Sequence, residues 1–223
     1  MLAVDAGTVV YEEALRWQRL LAAARAADEI DDVLLCLEHD RVYTAGRHAN
    51  TAAHVLGTRD IRVVHVDRGG DVTYHGPGQL VVYPIRKLAD GYRARFHVAA
   101  LEEACIRTAA TFGIEAHADP ERTGVWVGDR KLVAIGVRIA RRVTSHGLAF
   151  NVTTDLRDFD GIVPCGLTDA EVCSLQSLGV DTTVAEVRRR LVAALGDAFG
   201  QPVEEATLAD LGLPSDRPQA VGA

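Results

Sequence analysis

Cysteine, lysine and histidine side chains set where the apolar pattern breaks are the groups in these 223 residues with the makings of covalent chemistry. Pro164-Cys165-Gly166 puts a thiol between a residue that fixes the approach of the backbone and one that permits a sharp exit, so Cys165 is expected on a loop. A thiol attacks as its thiolate, and a nearby cation favours that form. Cys173, eight residues on, competes for the role, although Val172 and Leu175 suit a buried helix face. There are two lysines. Lys87 follows Arg86 at the end of an apolar run, where solvent exposure is the ordinary state, and Lys131 opens an apolar run, where such a side chain usually snorkels outward. Were Lys131 partly desolvated beside a cysteine, the two could share a proton near neutral pH. His75 and His146, each followed by glycine, are further candidates for acid–base work, and a structural hydrogen bond is the ordinary role of either. The eight histidines form neither HExxH nor a paired spacing with cysteine, so no metal site is expected.

A second feature is the run Arg68-Gly69-Gly70-Asp71-Val72-Thr73-Tyr74-His75-Gly76-Pro77-Gly78-Gln79, flanked by apolar residues 61–66 and 80–85. A hairpin turn needs two to five residues, not twelve with a histidine inside. Glycines at this density let something approach the backbone closely, and the run is expected to line the substrate site. It contains neither GxxxxGK[ST] nor GxGxxG, so it is no phosphate-binding loop.

The elements that position these groups follow from periodicity. A helix is expected over 8–27, with Thr8 as its cap and Ala14, Leu15, Leu20, Leu21 and Ala24 as its apolar face. Residues 33–37 read as a buried strand, 38–47 as a polar loop, and 62–66 and 80–85 as strands either side of the glycine run. A helix over 96–112 ends at Gly113. Runs 124–127 and 132–137 form a hairpin turning at Gly128-Asp129-Arg130, and 144–152 is a further strand. Thr168 is placed to cap a short helix reaching Leu175, and 184–199 is an amphipathic helix with its arginines outward. Cys36 and Cys105 fall on apolar faces and read as packing. Helices and strands mix without regular βαβ alternation, which points to an α+β domain around a mixed, mostly antiparallel sheet. One domain is expected over 1–213, with a disordered tail from Pro214 to Ala223.

The formal net charge of -7 argues against nucleic acid as a partner. No apolar run approaches the roughly twenty residues of a membrane span. The cysteines show no CxxC pair and no leader is evident, so a cytoplasmic protein with free thiols is expected.

The motifs taken in order resemble the octanoyltransferases of lipoate synthesis, the lipoate-protein ligase B family. The matching blocks are Arg68-Gly69-Gly70-x-x-Thr73-x-His75-Gly76-Pro77-Gly78-Gln79; Val42-Tyr43-Thr44-x-Gly46-Arg47; Thr123-Gly124-Val125-Trp126; Lys131-x-x-Ala134-Ile135-Gly136-Val137-Arg138; Ser145-x-Gly147-Leu148-Ala149 to Asn151; and Pro164-Cys165-Gly166. The resemblance covers the chain from the first helix to the last and implies the α+β catalytic domain shared with biotin and lipoate ligases. It implies transfer of an octanoyl group from octanoyl-acyl carrier protein to a cysteine of the enzyme, and then to a lysine of a lipoyl domain. The acceptors implied are the lipoyl domains of 2-oxoacid dehydrogenase complexes and the glycine cleavage H protein; no cofactor is implied. The catalytic pair maps onto Cys165 and Lys131. Substrate contacts map onto Arg68, Gly69, Gly70, Asp71, Val72, Thr73, Tyr74 and His75, onto Ala134, Ile135 and Gly136, and onto Gly147, Leu148 and Ala149, with His75 orienting the thioester.

Two positions depart from the family pattern. Val133 stands where a smaller residue is common and is expected to narrow the acyl site, and Cys173 introduces a second thiol. Gly70, Gly136 and Gly147 are expected to leave room for the alkyl chain. A thioester donor is already activated, so ATP is not required. The competing readings are an ATP-dependent lipoate or biotin ligase on the same fold and a non-catalytic module that shields an acyl or lipoyl group. Arg138, Arg141 and Arg142 are the expected basic contacts for acidic partners.

Overall fold

The computed structural model describes residues 1–57, 60–163 and 171–214. Strand β1 (Leu2–Val9), helix α1 (Tyr11–Ala26) and strand β2 (Val33–His39) open the chain, and β1 and β2 pair in parallel. Thr8 belongs to β1 and does not cap the helix, which starts after Val10 with no side-chain cap. The β-branched Thr8-Val9-Val10 favours a strand over a helical first turn, while the small residues and Asp5 in β1 hide its apolar pattern.

Strand β3 (Val42–Ala45), the one-turn helix α2 (Thr51–His54), β4 (Arg62–His65) and β5 (Val72–His75) follow. They build a three-stranded sheet in the order β4-β3-β5, so β3 lies inside the expected polar loop and β5 inside the glycine run. Val42-Tyr43-Thr44 and Val72-Thr73-Tyr74 are strong strand formers, and opposing Tyr43 and Tyr74 bury their rings beside Phe159. The polar flanks mask four-residue strands of this kind.

Strand β6 (Gln79–Ile85), helix α3 (Ala94–Ala110), and strands β7 (His117–Ala118), β8 (Val125–Val127), β9 (Arg130–Ala140) and β10 (Val143–Asn151) complete the middle of the chain. Beyond them come β11 (Glu171–Val172), α4 (Val184–Phe199) and β12 (Glu204–Ala206). The main sheet has the order β12-β1-β2-β6-β10-β9-β8-β7, with β11 added in parallel beside β9. Every pair from β2 to β7 in that order is antiparallel, giving the mixed, mostly antiparallel α+β architecture that the sequence implies. Where a short helix is expected to reach Leu175, Glu171 and Val172 form β11 because β9 offers their backbone a ladder; residues 168–170 lie outside the described residues, as does the expected tail from residue 215.

Helices cover both faces of the main sheet. On one side Ala14, Trp17 and Leu21 of α1 pack with Val33, Leu35, Val81 and Tyr83. On the other, Leu101 and Cys105 of α3 and Val187, Leu191 and Leu195 of α4 pack with Leu34, Cys36, Val82 and Phe150. This two-sided burial accounts for the unbroken apolar run in β2. Burying each such side chain contributes about 1.5–3 kcal/mol. Cys36 and Cys105 are packing residues here, and burial pushes the Cys36 thiol up to about 12.

A two-residue turn joins β9 to β10. Arg141 and Arg142 both take positive φ, +50° and +66°, the twist that a tight hairpin requires and that glycine or asparagine usually supplies. Arg142 secures the turn through Nε to the Leu88 carbonyl at 2.9 Å and through Asp90 at 2.7 Å.

Helix α4 matches its expected span. Thr183 Oγ1 accepts the Glu186 N–H at 3.2 Å, and Gly200 ends the helix at φ +64°. Thr183→Ala removes this cap, and urea unfolding is expected to show a loss of about 1 kcal/mol. A loss below about 0.3 kcal/mol would show that the cap contributes little.

Candidate active site

Segment 68–71, just before β5, is pressed against β9: Gly69 N–H donates to the Val137 carbonyl at 3.0 Å. Arg68 is 7% exposed and folds its guanidinium back into the protein. Its Nη2 donates to the Thr44 carbonyl at 2.7 Å and to Thr44 Oγ1 at 2.8 Å, and its Nη1 to the Gly69 carbonyl at 3.0 Å. Glycines make this approach possible. A Cβ on Gly136 would stand 3.0 Å from both Arg68 Cδ and the Gly69 carbonyl oxygen, and one on Gly46 would stand 2.4 Å from the Gly70 carbonyl oxygen. At Gly147 a Cβ would meet the Val82 carbonyl oxygen at 2.2 Å. A side chain at either position would meet protein, the Arg68 stem at Gly136 and the β6 backbone at Gly147, and both glycines, like Gly70, line the open cleft.

Beside them lies a cleft of about 460 Å³, open to solvent. Arg68, Gly70, Asp71, Val72, Thr73 and His75 line it from one side, and residues 134–136 of β9 and 147–149 of β10 from the other. Gly69 and Tyr74 do not line it. Gly69 is spent on the two backbone contacts above, and the Tyr74 ring turns toward Tyr43 and Phe159, its hydroxyl donating to Asp158 Oδ2 at 2.7 Å. Val133 is buried in the core and absent from the lining, so the expected narrowing at that position has no counterpart in the cleft. Tyr11, Tyr83 and His146 also line it, and sequence reasoning did not assign them there. Tyr11 carries no local signal, because it comes from the first turn of α1; His146 stood out only through the glycine that follows it.

Neutral rings back the cleft. Tyr11 stacks on His75 at 5.9 Å, and His39 meets Tyr11 at 4.9 Å and His75 at 5.6 Å. Burial holds His75 well below the usual imidazole range, with His39 and Arg68 adding to the effect, and burial lowers His39 to about 4. Burial likewise raises Tyr11 to about 12 and Tyr83 well above its ordinary value. His39 Nδ1 donates to the Val9 carbonyl at 2.7 Å, which leaves Nε2 to accept from the Tyr83 hydroxyl at 2.7 Å.

His75 is fixed through a chain of amides. Gln79 Nε2 donates to the Tyr74 carbonyl at 3.1 Å and to Asn151 Oδ1 at 2.9 Å, so Gln79 Oε1 is the acceptor for His75 Nδ1–H at 2.8 Å. Asn151 Nδ2 in turn donates to the Cys173 carbonyl at 3.0 Å. The network thus joins the histidine of the glycine run to the segment that opens with β11.

Lys131 is 5% exposed, with Nζ 4.6 Å from the centre of the Trp126 ring, rather than snorkelling outward. Its carbonyl accepts the Cys173 N–H at 2.9 Å, and it pairs with Val172 across β9 and β11. Lys131 does not line the 460 Å³ cleft. Cys165 lies outside the described residues, and so does the Pro164-Cys165-Gly166 motif. Cys173 is buried with its thiol 3.7 Å from the Arg130 carbonyl; burial raises its pKa to about 11, partly countered by Arg130, which suits packing better than nucleophilic attack. Among the described residues no cluster of three or more His, Cys, Asp or Glu is arranged to hold a metal ion, and no helix is long and apolar enough to cross a membrane.

The sequence profile of the lipoyl protein ligase A/B catalytic domain matches residues 10–196. The octanoyltransferase of Acidothermus cellulolyticus is 52% identical over 195 residues, covering 85% of this chain and 87% of its own. That of Thermosynechococcus vestitus is 41% identical, covering 94% of each. Among solved structures, a lipoate-protein ligase A bound with ATP superposes with a TM-score of 0.73 at 17% identity, over 93% of this chain and 89% of its own. A biotin protein ligase from Aquifex aeolicus superposes at 0.54 and 10% identity, over 90% and 69%.

The buried histidines give this fold a defined acid response. His39 takes a proton near pH 4 when folded and near 6.5 when unfolded, so between those values the unfolded chain binds protons that the folded chain refuses. Stability is fully present above pH 6.5 and falls as the pH drops toward 4, by about 3 kcal/mol for His39 alone. Asp158, held low chiefly by its Arg41 hydrogen bonds, loses its stabilisation only as it protonates at still lower pH. Urea unfolding at pH 7, 5.5 and 4.5 is expected to show the fall, and His39→Gln to make it shallower, since His75 and His97 still resist protonation; an equal slope in both proteins would contradict this account.

Proposed function

The chain belongs to the lipoyl protein ligase A/B catalytic-domain family as an octanoyltransferase, and we propose that it moves an octanoyl group from octanoyl-acyl carrier protein to a lysine of a lipoyl domain through a thioester on Cys165. It is an acyltransferase. The observation that carries the finer reading is that segments 68–75, 134–136 and 147–149, far apart in the chain, meet around one mostly apolar cleft. An octanoyl chain has six methylenes, and their burial contributes roughly 5 kcal/mol at 0.8 kcal/mol each. Arg68 lines the cleft among imidazoles and phenols that burial keeps neutral, and its guanidinium supports the reading that a carbonyl oxygen gaining charge is held there.

In the first half-reaction the Cys165 thiolate attacks the donor carbonyl, the tetrahedral intermediate collapses, and the carrier's thiol leaves with a proton. In the second, the acceptor amine attacks the acyl-enzyme, loses a proton, and expels the Cys165 thiolate. Lys131 serves both steps as the acid–base group, favouring the thiolate and then taking the amine's proton. Its burial against Trp126, with its backbone tied to Cys173 eight residues after the nucleophile, supports that assignment. The acceptors are lipoyl domains of 2-oxoacid dehydrogenase complexes and the glycine cleavage H protein, and the setting is the cytoplasm. No step consumes ATP.

Intact-mass measurement after incubation with octanoyl-acyl carrier protein is expected to show an octanoyl adduct that Cys165→Ser lacks. Full transfer activity in Cys165→Ala, or a requirement for ATP, would instead indicate a ligase. For Lys131, the profile of Cys165 alkylation against pH is the informative measurement. Lys131→Ala is expected to move it to higher pH and to slow thioester formation; an unchanged profile removes Lys131 from the thiol's surroundings.

A further inference from the structure

The acyl cleft has a direction along β9. Lys131, the acid–base group of the proposed transfer, precedes Ala134, where β9 begins to line the cleft. The lining ends at Gly136 and, on the facing strand, at His146 opposite Val137. At about 3.4 Å per residue, β9 advances roughly 10 Å from Ala134 to Val137. An extended chain advances about 3.5 Å per three bonds, so the seven carbon–carbon bonds of an octanoyl group span roughly 8 Å. An acyl chain laid from the Lys131 end therefore brings its last carbons to His146.

Beyond that end lies a second groove, between α1 and the β9–β10 hairpin, walled by Leu15, Ala22 and Ala23. Among the described residues His146 alone lines both the cleft and the groove. Its ring stands between them. It meets the ring of Tyr83, which lines the cleft, edge to face with centres 6.3 Å apart. Its Nε2 donates to Oδ1 of Asp67, which lines the groove, at 3.0 Å. The ring is also held in place. Asp67 is tied to Arg138 Nε at 2.9 Å, and the His146 N–H donates to Oε1 of the buried Gln18 at 2.7 Å. His146 keeps φ at +56°, a conformation that non-glycine residues rarely adopt and retain only where the surroundings enforce it. The residue is 2% exposed, so it fills the space between the two openings.

Resting on the octanoyl transfer proposed above, we infer that the His146 ring is the end wall of the acyl cleft and sets the longest acyl chain the protein takes, at about eight to ten carbons. Up to that length each added methylene is buried and tightens binding about fourfold. A longer chain reaches the ring, and must either break its hydrogen bond to Asp67 or fold back into water. The groove behind the ring has an apolar wall of its own, so the ring, not a lack of apolar surface beyond it, sets the limit.

The test uses His146→Gly, since glycine takes a positive φ without strain and keeps the N–H that Gln18 accepts. Calorimetric titration with straight-chain fatty acids of six, eight, ten, twelve and fourteen carbons reads the wall directly. In the wild-type protein affinity is expected to rise about fourfold per methylene and to stop rising by about ten carbons. In His146→Gly the rise is expected to continue to longer chains, because the cleft then runs into the groove. The ratio of kcat/KM for S-dodecanoyl-pantetheine to that for S-octanoyl-pantetheine should increase by roughly tenfold or more. His146→Asn, whose side chain also tolerates positive φ, is the second variant and is expected to move the break by fewer carbons. Affinity that climbs through fourteen carbons in the wild-type protein, a break at the same length in the folded variants, or an equal loss at every chain length overturns the assignment. Failure of the wild-type protein to transfer from either thioester would count against the proposed function, and the fatty-acid titrations would still decide the wall.

Discussion

The site depends on one buried guanidinium. Arg68 holds the small sheet through Thr44 and its own loop through the Gly69 carbonyl, while its stem rests where Gly136 of the main sheet has no side chain. Three pieces of chain distant in sequence are thereby set at fixed separation. Hydrogen bonds from a charged donor are stronger than neutral ones, and a guanidinium spreads several in one plane, so an ammonium would not reproduce the arrangement. The glycines are the other half of this constraint. They mark where backbone and arginine must come within contact of each other, and the cleft is the space left over.

Polar order extends outward from this centre in layers. His75, Gln79 and Asn151 form a directed chain whose proton positions are set by its last member, since each amide has a single orientation that satisfies its neighbours. Asp67, with Arg138 and His146, frames the far side. Burial raises the Asp67 pKa, but the His146 hydrogen bond and the Arg138 charge outweigh it and keep the carboxyl ionised. The rings between these two systems stay neutral because burial disfavours their charged forms.

Much of the arrangement is legible in the sequence where local chemistry and global packing agree. The apolar run of β2 and the amphipathic spacing of α4 are of this kind, as are the motif blocks whose residues converge on the cleft. Legibility fails where the tertiary setting decides. β3 and β5 are four-residue strands that exist because they pair with each other and bury Tyr43 and Tyr74 against Phe159. β11 exists because β9 had an edge to offer. Tyr74 sits inside a motif that faces the site, yet strand alternation turns its ring away. Gln18 falls on a helical face that reads as a polar position next to an apolar stripe. Its burial comes from a strand residue far along the chain whose N–H it accepts.

The outer neighbour of β1 is β12, with Leu2 paired to Glu204 across the sheet. During synthesis the first strand therefore emerges long before the strand that covers its outer edge. Until then β1 presents an unpaired ladder, the surface most prone to join another chain. Closing that edge also joins residues 201 positions apart, Met1 and Pro202, the kind of contact that slows folding. The short, charged β12, with Glu204 and Glu205, acts as a late seal: it ends the sheet with side chains that discourage a further strand.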